Sequence, residues 1–368
     1  MFQSVSAFFR EFLGRMWRGA APAPGYFVPG RNLSLHGRLH SAAWLWPSRE
    51  YLLYVPRGYA GWKRRALVVM LHGCRQTPEE FAAATRITTL ADAKGWLVLL
   101  PRQSDKANAW SCWNWFDTAT STGLGEAAIV VAQVGAVRRR YRVHPRRIFV
   151  AGFSSGGGLA AALGVRHASL FAGVFVHSGL ACGAASGPMA ALDVMRRGAN
   201  TDAERIGEEA RSGSGPVRLP LQVVHGDADD VVAEVNAVHP VRQFLVLNGR
   251  ATGDGPRDEW PPADVDATST LPGGRSIRSV EYRDGPRQLV HAVRVAGLGH
   301  AWSGGDAAFP YNDPAPPDAT AELGRFVEAW SRVDWKESLR RKENGKKRSE
   351  KRSKKRSENI IVSNRNVL

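Results

Sequence analysis

The chain is 368 residues long, 43% hydrophobic and 23% charged, enough apolar material for a sizeable core, which excludes a wholly disordered or fibrous polypeptide. Its net charge of +16 is uneven: Lys336 to Leu368 holds 13 Lys/Arg against 4 Glu, so most of the basic excess is a tail rather than a nucleic-acid-binding surface. The absence of any apolar run of about 18 residues argues against a membrane-spanning helix, and three cysteines are few for a disulfide-built scaffold.

In chain order, Phe2, Val5, Phe8, Phe9, Phe12, Leu13, Met16 and Trp17 share one helical face interrupted by Arg10, Glu11, Arg15 and Arg18. That pattern predicts an amphipathic helix, docked on the domain or touching a membrane surface, and makes a poor secretory signal. A linker, Gly19 to Gly25, closes this segment at residues 1–30. Ala66 to Leu71 reads as an apolar strand, Thr77 to Lys94 as helical, Trp96 to Leu100 as a strand and Gly125 to Tyr141 as a helix. Arg147 to Val150 is a short apolar strand before a small-residue helix, Gly157 to Leu163. Leu219 to Val224 and Gln288 to Ala296 are further strands, and residues 250–275, rich in Gly, Pro, Asp and Thr, read as an irregular insertion. Strands alternating with helices from about 50 to 332 predict one α/β domain, residues 31–335, followed by a disordered basic tail at 336–368. The tail is available for weak anion binding; no specific nucleic acid is expected.

Between the strand at 147–150 and the helix at 157–163 lies Gly152-Phe153-Ser154-Ser155-Gly156, a G-x-S-x-G pentapeptide. A serine lifted off a sheet on a tight strand-to-helix turn needs neighbours without bulky Cβ substituents, and Gly152 and Gly156 meet that need. Ser154 is the candidate nucleophile. Its hydroxyl requires a base and a group to orient that base. The strand 219–224 runs into His225-Gly226-Asp227-Ala228-Asp229-Asp230, where Asp229 is the preferred carboxylate and Asp227 and Asp230 read as turn or solvated residues. The strand 288–296 runs into Gly297-Leu298-Gly299-His300, a glycine-flanked loop that presents His300. The order Ser, Asp, His, with separations of 75 and 71 residues, leaves room for the intervening strands and helices. The strand 66–71 opens into His72-Gly73-Cys74, which suits a backbone oxyanion donor at Cys74, with the second donor at Ser155. A glycine-rich turn, an ordinary strand-end turn and a structural histidine are the plainer readings of these three segments.

With LHGCRQT at Leu71 to Thr77, CWNWF at Cys112 to Phe116, AGFSSGG, HGDADDVV and GLGHAWSGG in this order, the chain resembles the esterase family of polyhydroxybutyrate depolymerases, related to feruloyl and acetyl-xylan esterases. The resemblance spans about residues 50 to 332. It implies an α/β-hydrolase fold, a mostly parallel central sheet with helices on both faces, and Ser154, Asp229, His300 and the Cys74 amide in the roles argued above. It implies a serine esterase acting through an acyl-enzyme, with a serine peptidase of the same fold or an inactive hydrolase-like binding protein as the other readings. It also favours an exported protein, although the N-terminus shows no clean signal; a cytoplasmic protein is the alternative. The chain looks to lack the linker and polymer-adsorbing domain of many secreted members.

Trp110, Trp113, Trp115 and Phe116 fall within seven residues, and Trp302 lies two past His300. Trp113, Trp115 and Trp302 are expected to overhang the cleft and contact an acyl chain or aromatic ring, with core packing as the duller reading. Cys74 and Cys112 lie in motifs that would meet at the site's edge, so a disulfide there and three free thiols are both open, Cys182 being a buried thiol in the first case. No C-x-x-C, H-E-x-x-H or strand-linked G-x-G-x-x-G is present; no metal and no cofactor are expected.

Overall fold

The computed structural model describes residues 24–33, 48–199, 201–215 and 217–331, all within the unit Met1–Ser331. The amphipathic stretch anticipated near the N-terminus and the basic tail at 336–368 lie outside the described residues.

Ten strands form one sheet: β1 Tyr26–Leu33, β2 Ser48–Val55, β3 Arg65–Leu71, β4 Leu97–Pro101, β5 Val143–Phe153, β6 Gly173–His177, β7 Leu221–Gly226, β8 Val265–Thr270, β9 Ser276–Asp284 and β10 Arg287–Val295. Their order is β1-β2-β4-β3-β5-β6-β7-β10-β9-β8. The six middle strands, β4, β3, β5, β6, β7 and β10, run parallel, while β1–β2 and β9–β8 extend the two edges in antiparallel fashion. Parallel strands are covered on both faces and so read as continuous apolar runs rather than alternating ones. That is the pattern of Leu67 to Leu71 and Leu97 to Leu100, all fully buried.

The helices are α1 Pro78–Thr85, α2 Ile87–Lys94, α3 Thr118–Ser121, α4 Gly125–Arg140, α5 Ser155–Arg166, α6 Pro188–Arg197, α7 Ala203–Ser214, α8 Val235–Leu247 and α9 Ala319–Ser331. The helices α4, α5 and α8 pack in one group and α1, α2 and α9 in another. Neighbouring residues of β6 face different groups, as the pleat requires. Val174 is apposed to Gly164 of α5, close to Phe244 of α8, whereas Phe175 meets Phe326 of α9. Two short strands, β11 Trp302–Ser303 and β12 Asn312–Asp313, pair apart from the main sheet.

Two expectations are corrected. The helical stretch from Thr77 to Lys94 is broken at Arg86, whose left-handed backbone (φ 54°) ends α1 and begins α2. Its guanidinium binds the Gly304 carbonyl and Asp318, tying the break to the loop that follows His300. The stretch 250–275 is not irregular throughout. Val265–Thr270 forms β8 by pairing with β9; its mostly exposed side chains left no apolar signature to read.

Candidate active site

Ser154 sits between the end of β5 and the first residue of α5, with φ 55° and ψ −122°. A non-glycine residue holds such a backbone only when its surroundings over-determine it. Here the Ser154 amide donates to the His177 carbonyl at 2.9 Å, anchoring the turn to β6. The flanking glycines are required by contact distance: a Cβ at Gly152 would stand 2.1 Å from the Gly156 carbonyl oxygen, and one at Gly156 2.2 Å from that of Leu71. The serine is thereby held at the carboxyl edge of the parallel strands, at the positive end of α5.

His300 and Asp229 converge on it from loops following β10 and β7. His300 Nε2 lies 2.9 Å from Ser154 Oγ, and His300 Nδ1–H donates to the Asp229 carboxylate at 2.8 and 3.0 Å. The Asp229 side chain is fully buried and also accepts the amides of Val232 (2.8 Å) and Val231 (3.1 Å). Burial alone would raise its pKa. The bond from His300, the charges of His300 and His225 and the Val232 amide outweigh that, and the carboxyl titrates below its usual range. Asp227 instead accepts the Gly297 amide at 2.7 Å, holding the loop that leads to His300. A serine, an imidazole and a carboxylate in this line can pass a proton from the hydroxyl to the ring while the carboxylate fixes the tautomer.

Next to Ser155, Cys74 and Cys112 are joined by a disulfide. It couples the loop after β3 to the segment before α3. Ser155 completes the junction, its Oγ accepting the Trp113 amide at 3.3 Å and lying 3.5 Å from Cys74 Sγ. As the first residue of α5, Ser155 offers an amide with no intrahelical acceptor. The loop at His72 is held by its own network: Gly73 N–H donates to Gln76 Oε1 at 2.8 Å, and the His72 ring donates from Nδ1 to the Gly73 carbonyl and accepts the Gln103 amide at Nε2. Burial drives the His72 pKa down to about 4, so the ring is neutral.

The tryptophans do not sit where the sequence placed them. Trp113, Trp115 and Trp302 are 1%, 4% and 1% exposed. Trp302 packs against His177, Phe81, Phe153 and Phe175 and donates Nε1–H to Thr320. Trp115 lies against Gly158, in the first turn of α5. These rings fill the space beneath the loops, so the substrate-contact assignment for Trp113, Trp115 and Trp302 is withdrawn in favour of packing. The exposed ring of the cluster is Trp110, at 62%, with the Arg75 guanidinium 5.8 Å over it and its carbonyl bound to the Arg75 amide.

Sequence reasoning missed two supports. Glu126 of α4 is buried beneath the tryptophan loop, accepting from Gln103 Nε2 (2.5 Å), the Asn114 amide (2.7 Å) and Asn114 Nδ2 (2.9 Å); burial raises its pKa against those bonds and the charge of Arg49. The signal was present, since Glu126 shares the inward face of α4 with Ile129, Val130, Gln133 and Val137. His177 is also buried, stacked on Trp302, with Nε2 accepting the Ser303 amide at 3.2 Å; burial takes its pKa down to about 3. Among the described residues, no group of His, Cys, Asp or Glu is arranged to hold a metal, and no helix is long and apolar enough to cross a membrane.

The chain has relatives of known name. Poly(3-hydroxyalkanoate) depolymerase C of Paucimonas lemoignei is 28% identical over 252 residues, 67% of this chain and 57% of that protein. Feruloyl esterase B of Neurospora crassa is 29% identical over 206 residues, 53% of this chain and 69% of that protein. The acetyl xylan esterase from Aspergillus awamori superposes with a TM-score of 0.57 at 20% identity, covering 68% of this chain and 89% of the other, which establishes the α/β-hydrolase fold. The chain spans a little over half the length of the curated depolymerases it matches. The model of the family described as esterase PHB depolymerase matches residues 49–260, more than half of the chain, and the protein therefore belongs to that esterase family.

Proposed function

We propose that this protein hydrolyses carboxylic esters through an acyl-enzyme formed on Ser154. The observation that carries the reading is the continuous hydrogen-bonded line from Ser154 Oγ through His300 to Asp229, on a serine whose backbone is held at positive φ. His300 Nε2 takes the hydroxyl proton as Oγ attacks the ester carbonyl carbon. The tetrahedral oxyanion is met by the amides of Cys74 and Ser155 and the N-terminus of α5. Collapse breaks the bond to the alkoxide, which leaves with the proton from His300. A water then gives a proton to the same nitrogen and attacks the acyl-serine; breakdown releases the acid and returns the proton to Ser154.

Asp229 remains ionised throughout, consistent with its lowered pKa, and steadies the imidazolium that forms in each half-reaction. The substrate class is a neutral ester. The names of the relatives, hydroxyalkanoate depolymerase and feruloyl esterase, support a small hydroxyacyl or an aromatic acyl group. Turnover of p-nitrophenyl butyrate tests the reading. Ser154→Ala is expected to lower kcat by roughly 10⁶-fold; a variant that keeps turning over the ester at a comparable rate would refute it.

A further inference from the structure

Helix α6 is apolar over more of its circumference than its packing uses. Ala191 and Val194 are buried in a cluster with Trp115, Leu180 and Val232. Met189 and Leu192, three residues apart on the adjoining stripe, face solvent at 80% and 49% exposure, and Met195, the next on that stripe, is half-buried against the same cluster. Arg196 flanks the stripe at the C-terminal end, where a cation suits the helix dipole.

At its C-terminal end the stripe reaches the loop that carries Asp229. The Met195 carbonyl accepts the Ala233 amide at 2.7 Å, and the carbonyls of Val194 and Met195 both accept from Asn236 Nδ2. Val231, 40% exposed, lies between that tie and Asp229, and its amide donates to the Asp229 carboxylate. Phe116 packs on the same cluster from the tryptophan loop, edge-on to Trp115 at 5.7 Å, and Trp115 abuts the first turn of the helix that Ser154 opens.

We propose that Met189, Leu192, Met195, Phe116 and Val231 form a rim that binds the aliphatic chain of the ester as it runs out from Ser154. The proposal rests on the esterase reading above. The tie between the end of α6 and the Asp229 loop identifies the occupant: a protein partner seated beside Asp229 would obstruct turnover, whereas a substrate chain has to leave the site past this loop. Flexible thioethers suit an irregular aliphatic surface.

The test is kcat/KM for p-nitrophenyl acetate, butyrate and octanoate in the full chain and in Met189→Gln/Leu192→Gln, glutamine being a good helix former. The octanoate-to-acetate ratio is expected to fall roughly tenfold, on the scale of one Leu-sized apolar contact, with the elution volume on size exclusion unchanged. Leu192→Glu lowers the ratio further. An unchanged ratio overturns the proposal. So does an unchanged ratio accompanied by a smaller particle, which makes the face a contact between copies. The esterase reading fails separately, through activity on all three esters surviving in Ser154→Ala.

Discussion

The glycine-flanked serine turn and the tryptophan loop meet at one edge of the same sheet, yet opposite kinds of constraint shape them. At the turn the backbone decides: Gly152 and Gly156 leave no room for a Cβ, and Ser154 is fixed before any side chain is considered. In the loop the side chains decide. Trp113 and Trp115 are buried where Glu126, Gln103 and Asn114 bind the loop to α4, and their rings pack inward. The lesson is that reactive groups here are placed by short-range backbone geometry, and the walls around them by long-range packing.

Asp229→Asn separates the two regions most sharply. The amide keeps an oxygen for Val231 and Val232 but presents N–H to His300, forcing the wrong tautomer. Turnover is expected to fall roughly 10⁴-fold with the fold intact; a drop of less than about tenfold would remove Asp229 from the mechanism. Trp115→Ala probes the other region. It is expected to reduce unfolding free energy by roughly 3–5 kcal/mol in urea denaturation, while the exposed Trp110→Ala stays within about 0.5 kcal/mol. Equal effects of the two would contradict the inward packing.

The disulfide links the regions. In Cys74→Ser/Cys112→Ser, turnover is expected to fall by up to roughly 10²-fold as the Cys74 amide loses its position, and stability by about 4 kcal/mol on the chain-entropy estimate for a 38-residue separation. Stability loss with turnover intact would mean that the bridge braces the tryptophan loop alone.

Acid reports on the buried histidines. Burial lowers the pKa of His72 to about 4 and of His177 to about 3, and lowers that of His225. Free histidine titrates near ~6.5, so the unfolded chain takes up these protons first. Stability is therefore full above that pH and falls below it by roughly 1.4 kcal/mol per pH unit for each ring, until the folded pKa is reached. Glu126, raised by burial, works in the opposite sense. Urea denaturation from pH 6.5 down to 4.5 should show this slope, shallower by one ring's share in His177→Gln; a slope unaltered in that variant would contradict the assignment of His177 as buried and neutral.

The parallel strands were legible because burial on both faces leaves uninterrupted apolar runs, and the serine turn because its glycines have a steric reason. Ser154, Asp229 and His300 are brought together from strand ends that the sequence already marked. Ring orientation was not legible. Trp302 is two residues from His300 in sequence, but a buried ring and a ring over a cleft share the same composition, and the choice rests on Phe81, Phe153 and Phe175, brought close only by the fold. Strand β8 escaped because its polar, exposed face has no core to announce it. Glu126 escaped because a carboxylate on a helix is ordinarily solvated; only its place among Ile129, Val130 and Val137 marks it as inward.

The central claim is that His300 activates the Ser154 hydroxyl. Treatment with a fluorophosphonate, followed by mass spectrometry of the digested protein, addresses it directly. A single stoichiometric adduct on the peptide carrying Ser154, lost in His300→Ala, is the expected result. Labelling at another residue, or labelling of Ser154 at an undiminished rate without His300, would contradict it.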